Sequence, residues 1–594
     1  MARNRAFLGI VAGALVAASA SGCRGRPRSW DVPIDTDRAR DSGAAVLEID
    51  LTSGAPEKTA GGLLSLPSRH TFDVLVAALG QAEGRKEVKG VFVAFGTSGL
   101  GWARAHELGE GLARLKKKGI SVLCHADAWD DTTYAAAARG CDTIAMSPAG
   151  EVEATGPASA IPYARELLVD KLHAQVDILQ VGKFKGAAEP LTLDGPSDEY
   201  RTSIERALSA IASANKEALA IRGVDALVGT GPYMGQETID KKLVDLLVDR
   251  KGAREEAKKR AQGVPVEVIY GPGGGGGAPK LGLLDFFRLF TTGGDEASAR
   301  PHVRLVRLHG EISLGSEGGL LGGPAGIVSR KLVDDMHALA KDDNVKAVVL
   351  RIDSPGGSAL GSDLVWIAVK ELRDKKPVIV SVGEMAASGG YYIASAGTKI
   401  FAEPESIVGS IGVVGGKISF RGSLALVGVH TASFGDPRKA QLSSITEPWD
   451  DATRARLQES MTRIYGLFLD RISEGRGQPK EHYSEAVEGR VFGGAQAKDL
   501  GLVDELGGLG EAIAEAKRAG KLDEGAAVVT DAPDSLLGAL TGDDELHALT
   551  TAIGPIPEAL APELWALRSW VLGFVRATGG GGIAAMLPTP LIIR

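Results

Sequence analysis

Two stretches of the chain, KEVKGVFVAF (Lys86–Phe95) and DNVKAVVLRI (Asp343–Ile352), pass from charged residues into an unbroken apolar run. That is the pattern of a strand buried on both faces of a parallel sheet. Each is preceded by a helical stretch and followed by a helix with a basic end, GEGLARLKKKG or IAVKELRDKK, and then by a second apolar strand, ISVLCHA or PVIVSVG. The likeness continues at an offset of 256 residues, YAAAARGCDTIAMSPAGEVEATG lying against YYIASAGTKIFAEPESIVGSIG when Tyr134 is matched to Gly390. The openings agree as well, AVLEIDL near residue 45 echoing VRLVRLHG near residue 303. Alternation of apolar strands with amphipathic helices predicts an α/β fold, a tandem duplication with mainly parallel sheets flanked by helices and joined by right-handed crossovers.

The periodicity sets the boundaries: an N-terminal repeat over 44–265, a Gly-rich linker over 266–300, a C-terminal repeat over 301–530 and an Ala/Leu/Pro-rich extension over 531–594. The glycine cluster GPGGGGGAP (Gly271–Pro279) lacks the Gly-Lys-Ser/Thr that completes a phosphate loop, so it reads as flexible chain. Within the linker, Leu281–Phe290 is an apolar helical segment suited to core packing or to docking on a neighbour or membrane.

Composition narrows the functional classes. The chain has 594 residues, 44% hydrophobic and 24% charged, with a formal net charge of -8; this is a globular protein with no basic face for a nucleic acid. Arg3 and Arg5 precede an apolar run from Phe7 to Ala20 that ends in ASGC. The run is shorter than the roughly 20 residues a membrane-spanning helix needs. Residues 1–23 therefore read as a signal peptide with a lipobox-like end, which predicts export and lipidation at Cys23, although Ala20 stands where leucine is usual. An ordinary cleaved signal peptide or a short uncleaved anchor is the plainer alternative. Cys124 and Cys141 are expected to be buried free thiols; a disulfide between them is the competing reading.

The chemistry emerges from what each copy kept. The strand ending at Ile352 runs into DSPGGS (Asp353–Ser358), whose Pro-Gly-Gly turn leaves backbone N–H groups free to form an oxyanion hole; the first copy has GTSGLG (Gly96–Gly101) there. Ser388, in EMAASGGYYIAS, meets Thr132 in the first copy. Conversely, VGKFKGAAEP (Val181–Pro190) carries Lys183 and Lys185, and alignment of Gly182 with Gly435 puts Arg438 opposite Lys185. Arginine stays protonated, whereas a desolvated lysine can act as a base. An unperturbed lysine is only about 0.1% neutral at pH 7.5. Complementary loss points to one composite site, with Ser388 from the second copy and Lys185 from the first. If the segment is a strand, Lys183 would share the face of Lys185, so spacing does not separate the two.

The duplicated architecture together with MAASGGYYIAS, DSPGG and GKFKGAAEP resembles the long form of bacterial signal peptide peptidase A, over most of residues 44–530. The resemblance implies a membrane-associated serine endopeptidase with a Ser-Lys dyad on a Clp protease/crotonase-like unit. It maps the nucleophile onto Ser388, the general base onto Lys185, and the lysine-orienting serine of GSIG onto Ser410. Its oxyanion turn maps onto Gly356 and Gly357, with the Gly389 N–H as a further donor. It implies no cofactor or metal, peptide substrates such as remnant signal peptides bound in extended form, a homo-oligomer (a tetramer), and a site on the periplasmic face of the bacterial cell envelope. Two features depart from the family: the short apolar run with Cys23 in place of a transmembrane segment, and DDTTY in place of a Gly-containing turn. Three alternatives stand beside it. One is a Ser-His-Asp triad using His125 or His309, although no Gly-x-Ser-x-Gly elbow surrounds Ser388. The others are an inactive exported scaffold or binding lipoprotein of the same fold, and a crotonase-like acyl-CoA enzyme, which the exported N-terminus disfavours.

Overall fold

The computed structural model describes residues 27–29, 45–57, 71–96, 100–262, 266–271, 296–315, 326–531 and 583–586. The signal segment with Cys23, the apolar stretch Leu281–Phe290 and most of the Gly-rich linker and C-terminal extension lie outside them.

Each repeat builds one mainly parallel sheet, and the orders of its parallel strands coincide; Pro27–Ser29 adds an antiparallel edge strand on Val528–Asp531. In the first repeat the order is Val266–Tyr270, Ala45–Leu51, Val88–Phe95, Ser121–Ala126, Thr143–Met146, Leu246–Leu247. In the second it is Val528–Asp531, His302–His309, Val345–Ser354, Val378–Ala387, Lys399–Ala402, Glu505–Leu506. The expected α/β duplication is thus present strand for strand. Apolar runs such as Val91–Phe95 and Ala347–Leu350 are buried because helices cover both faces.

The helices are punctuated by their own sequence. Ser197 and Asp450 accept hydrogen bonds from the Tyr200 and Thr453 N–H groups at the starts of the helices Asp198–Ala220 and Asp451–Arg476. Gly477, in the left-handed region at φ 67°, ends the second. Among the described residues no helix is long and apolar enough to cross a membrane.

The halves are joined by exchanged elements. Asp198–Ala220 from the first repeat packs Tyr200, Ile204, Ala207 and Ile211 against Ala387, Ile407 and Val491 of the second. A third sheet mixes both halves: Gln175–Val181 pairs antiparallel with Val413–Ser419 in an unbroken register from Val181↔Val413 to Gln175↔Ser419. In the same sheet, Ile583–Met586 lies between Gly356–Ser358 and Val413–Ser419.

A buried ionic cluster also spans the halves. Arg351 pairs with Glu57 at 2.7 Å and Glu107 at 3.1 Å, Arg104 with Glu384 at 3.0 Å, and His106 with Glu405 at 2.8 Å. Burial without full compensation pushes Glu403, beside this cluster, well above the usual carboxylate pKa.

The cysteines correct an expectation. Cys124 and Cys141 form a disulfide, with Cα atoms 6.0 Å apart, and are not free thiols. Parallel pairing of Cys124 with Ile144 brings the chain back beside its own starting strand, which places Cys141 next to Cys124.

Candidate active site

Ser388 stands between the end of the strand Val378–Ala387 and the short helix Gly389–Ala394, in the left-handed region at φ 53°. A serine there is conformationally strained, a state that persists only when its surroundings fix it. Here the Ser388 N–H donates to the Gly409 carbonyl at 2.7 Å and its carbonyl accepts from the Tyr392 N–H at 2.8 Å. Ser410 is held alike, at φ 54° with its N–H donating to the Arg490 carbonyl.

Lys185 reaches this point from the other repeat. The strand that pairs with Val413–Ser419 ends at Val181; Gly182 then turns at φ 105°, and the chain dips so that Lys185 is buried while Lys183 is exposed above the Phe184 ring. The Lys185 N–H donates to the Gly182 carbonyl, and Phe184 N–H to that of Glu488. Gly489, at φ 86°, passes so near that an added Cβ would sit 2.6 Å from the Lys185 nitrogen. The Lys185 amine then lies 2.7 Å from Ser388 Oγ, 2.8 Å from Ser410 Oγ and 2.8 Å from the Ser410 carbonyl oxygen. None of these is a carboxylate, and burial alone drives its pKa well below that of an ordinary lysine.

The glycine turn abuts the serine. A Cβ on Gly389 would lie 3.2 Å from the Gly357 nitrogen, and one on Gly390 2.7 Å from the Ser354 carbonyl oxygen. Gly356 and Gly357 take φ 106° and 150°, conformations that a residue with Cβ adopts only under strain. The Gly356 N–H donates to Ser354 Oγ at 3.2 Å.

The histidines lie elsewhere. His125 donates from Nε2 to the Val248 carbonyl at 3.1 Å, and His309 faces Asp353 at 3.4 Å in the ionic cluster. Neither is hydrogen-bonded to Ser388.

The first repeat's version of the site shows a one-residue correction. The Tyr134 hydroxyl donates to the Leu243 carbonyl as the Tyr391 hydroxyl does to Leu502, so these tyrosines correspond and the helix runs at an offset of 257 while the flanking strands keep 256. Asp131, not Thr132, therefore falls opposite Ser388, and it accepts from the Thr155 and Gly156 N–H groups. Ala154, left-handed at φ 45°, stands where Ser410 does and has no hydroxyl. Opposite Lys185, Arg438 is exposed.

Comparison with known proteins agrees with this duplicated geometry. The family model for peptidase family S49 matches residues 114–264 and 370–523, together about half of the chain. The chain belongs to peptidase family S49. The Clp protease family model also matches, over residues 325–408. Protease 4 of Haemophilus influenzae is 28% identical over 466 residues, covering 75% of this chain and 72% of that protein. Protease 4 of Salmonella typhi is 27% identical, covering 77% and 73%. The chloroplastic serine protease SPPA of Arabidopsis thaliana is 27% identical, covering 73% and 63%. This S49 peptidase is accordingly a serine-type endopeptidase of the long, duplicated kind.

Several residues that shape the S49 site escaped the sequence reading. Gly409 and Gly489 fix the backbones of Ser388 and Lys185 across chain separations that no local pattern encodes. The strand Gln175–Val181 carried a legible signal, its VDILQV pattern, but not its partner.

Proposed function

We propose that the chain hydrolyses peptides with Ser388 as nucleophile and Lys185 as general base. The observation that carries this reading is the buried amine 2.7 Å from Ser388 Oγ with no carboxylate among its contacts. A neutral amine offers two N–H donors and one lone pair. The Ser410 carbonyl can only accept, and Ser410 Oγ can accept the second N–H, which leaves the lone pair for the Ser388 hydroxyl. Ser388 Oγ attacks the peptide carbonyl as Lys185 takes its proton; Lys185 passes that proton to the leaving amine, and water activated by the same amine releases the acyl group. The N–H groups of Gly357 and Gly389, adjacent across the turn, suit the developing oxyanion. Gly356 serves the turn through its bond to Ser354.

The substrates are extended peptides, and remnant signal peptides fit that class. The Cys124–Cys141 disulfide supports an oxidising compartment, consistent with export behind residues 1–23 and anchoring at lipidated Cys23 on the periplasmic face of the envelope. Resemblance to signal peptide peptidase A supports a homo-oligomer, a tetramer. The inactive-scaffold alternative has no observation in its favour.

A fluorophosphonate probe tests the reading. Wild-type protein should take up one label per chain and cleave a fluorogenic peptide, and Ser388→Ala should do neither while keeping its circular dichroism. Turnover in Ser388→Ala would refute the assignment.

A further inference from the structure

One short segment of the second repeat is bonded to the backbone around both members of the dyad. The strand Val491–Gly493 pairs antiparallel with Ile407–Gly409, whose last carbonyl holds the Ser388 N–H. Just before that strand, the Arg490 carbonyl accepts from the Ser410 N–H at 2.6 Å, the Gly489 N–H donates to the Ile411 carbonyl at 2.7 Å, and the Glu488 carbonyl accepts from the Phe184 N–H at 2.8 Å.

The side chains of this segment add a second grip on the lysine's side. The Arg490 guanidinium lies 4.0 Å from the centre of the Phe184 ring and donates to the Val487 carbonyl at 3.1 Å, which holds its head there. The Glu488 carboxylate accepts from the backbone N–H of Lys183 at 3.2 Å and from the Tyr465 hydroxyl at 3.3 Å; the same hydroxyl accepts from the Glu488 N–H at 3.3 Å. Burial and the neighbouring Glu488 carboxylate push the Tyr465 phenol up to about 12, so it keeps its proton at neutral pH. Lys183 and Phe184 carry the chain from Gly182 down to Lys185, so both contacts act on the stretch whose dip buries the amine. Glu488 does this in the left-handed region at φ 66°, as Ser388 and Ser410 stand at 53° and 54°. Three such residues at one site are held there only because their surroundings over-determine them.

We infer that Arg490 and Glu488, the latter steadied by Tyr465, are positioning residues that keep the Lys185 amine dry and in reach of Ser388 Oγ; this rests on the Ser388–Lys185 reading. They act through the backbone, since among the described residues the amine bonds only to Ser388 and Ser410. The small cavity beside Lys185 is lined by Tyr200, Ser203, Ile204, Ser410, Gly489 and Val491, with Phe184 and Gly186. Tyr200 is the one titratable side chain among these, and burial holds its phenol neutral. The pKa of the amine therefore reads how well this pocket excludes water.

Arg490→Ala, Arg490→Lys and Tyr465→Phe test this in the full chain. Two quantities are read: kcat for a fluorogenic peptide per serine labelled to completion by a fluorophosphonate, which leaves unfolded protein out of the count, and the pH profile of kcat/KM. Arg490→Ala keeps the backbone bond to Ser410 and should lower kcat about 10- to 100-fold with little change in KM, because it loosens the base rather than the substrate. Its apparent pKa should rise as water reaches Lys185. Arg490→Lys, whose ammonium can face the same ring, should recover part of both. Tyr465→Phe alters no charge at neutral pH, so a smaller change in the same directions there excludes a purely electrostatic effect; it decides alone if Arg490→Ala yields no labelled protein. Wild-type kcat per labelled serine in the variants, or a lowered kcat with an unmoved pKa, overturns the positioning role while leaving the dyad intact. Wild type that neither labels nor turns over removes the dyad, and the positioning role with it.

Discussion

Replacing Lys185 by methionine separates the cost of burying an amine from the hydrogen bonds it makes. Methionine keeps an unbranched apolar stem but loses the contacts to Ser388 Oγ, Ser410 Oγ and the Ser410 carbonyl. Leaving that buried carbonyl unpaired costs about 1–3 kcal/mol, independent of pH. The amine itself contributes a pH-dependent part. Its folded pKa is depressed by burial, so its contribution is most favourable above the unfolded lysine pKa and is lost as pH falls toward the folded value. In that window wild-type stability falls by up to about 1.4 kcal/mol per pH unit, and the methionine variant lacks this dependence. Between pH 10 and pH 9, where an unfolded lysine is mostly protonated, wild type should lose about 1.2 kcal/mol relative to Lys185→Met. Urea unfolding of both proteins at the two pH values gives the difference directly, and other titrating groups, Lys376 and Lys417 included, cancel because both proteins share them. A stability difference that stays constant between pH 9 and 10 would mean a charged lysine in the folded state and would refute the neutral-base assignment.

Lys185→Arg should lower kcat/KM by about 10²–10⁴-fold, since guanidinium cannot accept the proton, whereas Lys183→Arg should stay near wild type because that side chain is exposed; the reverse pattern would displace the base by two residues. The wild-type kcat/KM should rise with pH through an apparent pKa well below 10.5, and a profile flat from pH 6 to 10 would contradict a titrating lysine. Arg351→Ala strands Glu57 and Glu107 in the buried cluster between the repeats and should cost about 3–5 kcal/mol in urea unfolding, against a smaller loss for Glu371→Ala on the surface. Reducing the Cys124–Cys141 bond, whose cysteines are 17 residues apart, should cost about 3 kcal/mol yet leave kcat unchanged, as read by unfolding and peptide hydrolysis with and without dithiothreitol.

Hydrophobic periodicity is a local property, and it determined what is local here. The buried runs at Val88–Phe95 and Val345–Ser354 announced two parallel sheets, and the similarity between copies predicted their matching strand orders. Comparing the copies also pointed to Ser388 and to the segment holding Lys183 and Lys185, because each half lacks the chemistry that the other retains. The choice of Lys185 over Lys183 rested on the family resemblance, and the backbone supplies its physical reason: Gly182 at φ 105° follows the end of the strand, so alternation no longer governs which side chain turns inward. The counterpart of Ser388 depended on a one-residue slip visible only in the two tyrosine hydrogen bonds, and the disulfide on a strand pairing that brings Cys141 back to Cys124. The juxtaposition of lysine and serine, 203 residues apart in the chain, follows from Gln175–Val181 pairing with Val413–Ser419. The return of Ile583–Met586 to the glycine turn is likewise a pairing of backbone with backbone. Main-chain hydrogen bonds look alike for every residue, so such partners leave no mark in the sequence and are selected only when the whole fold brings their edges together.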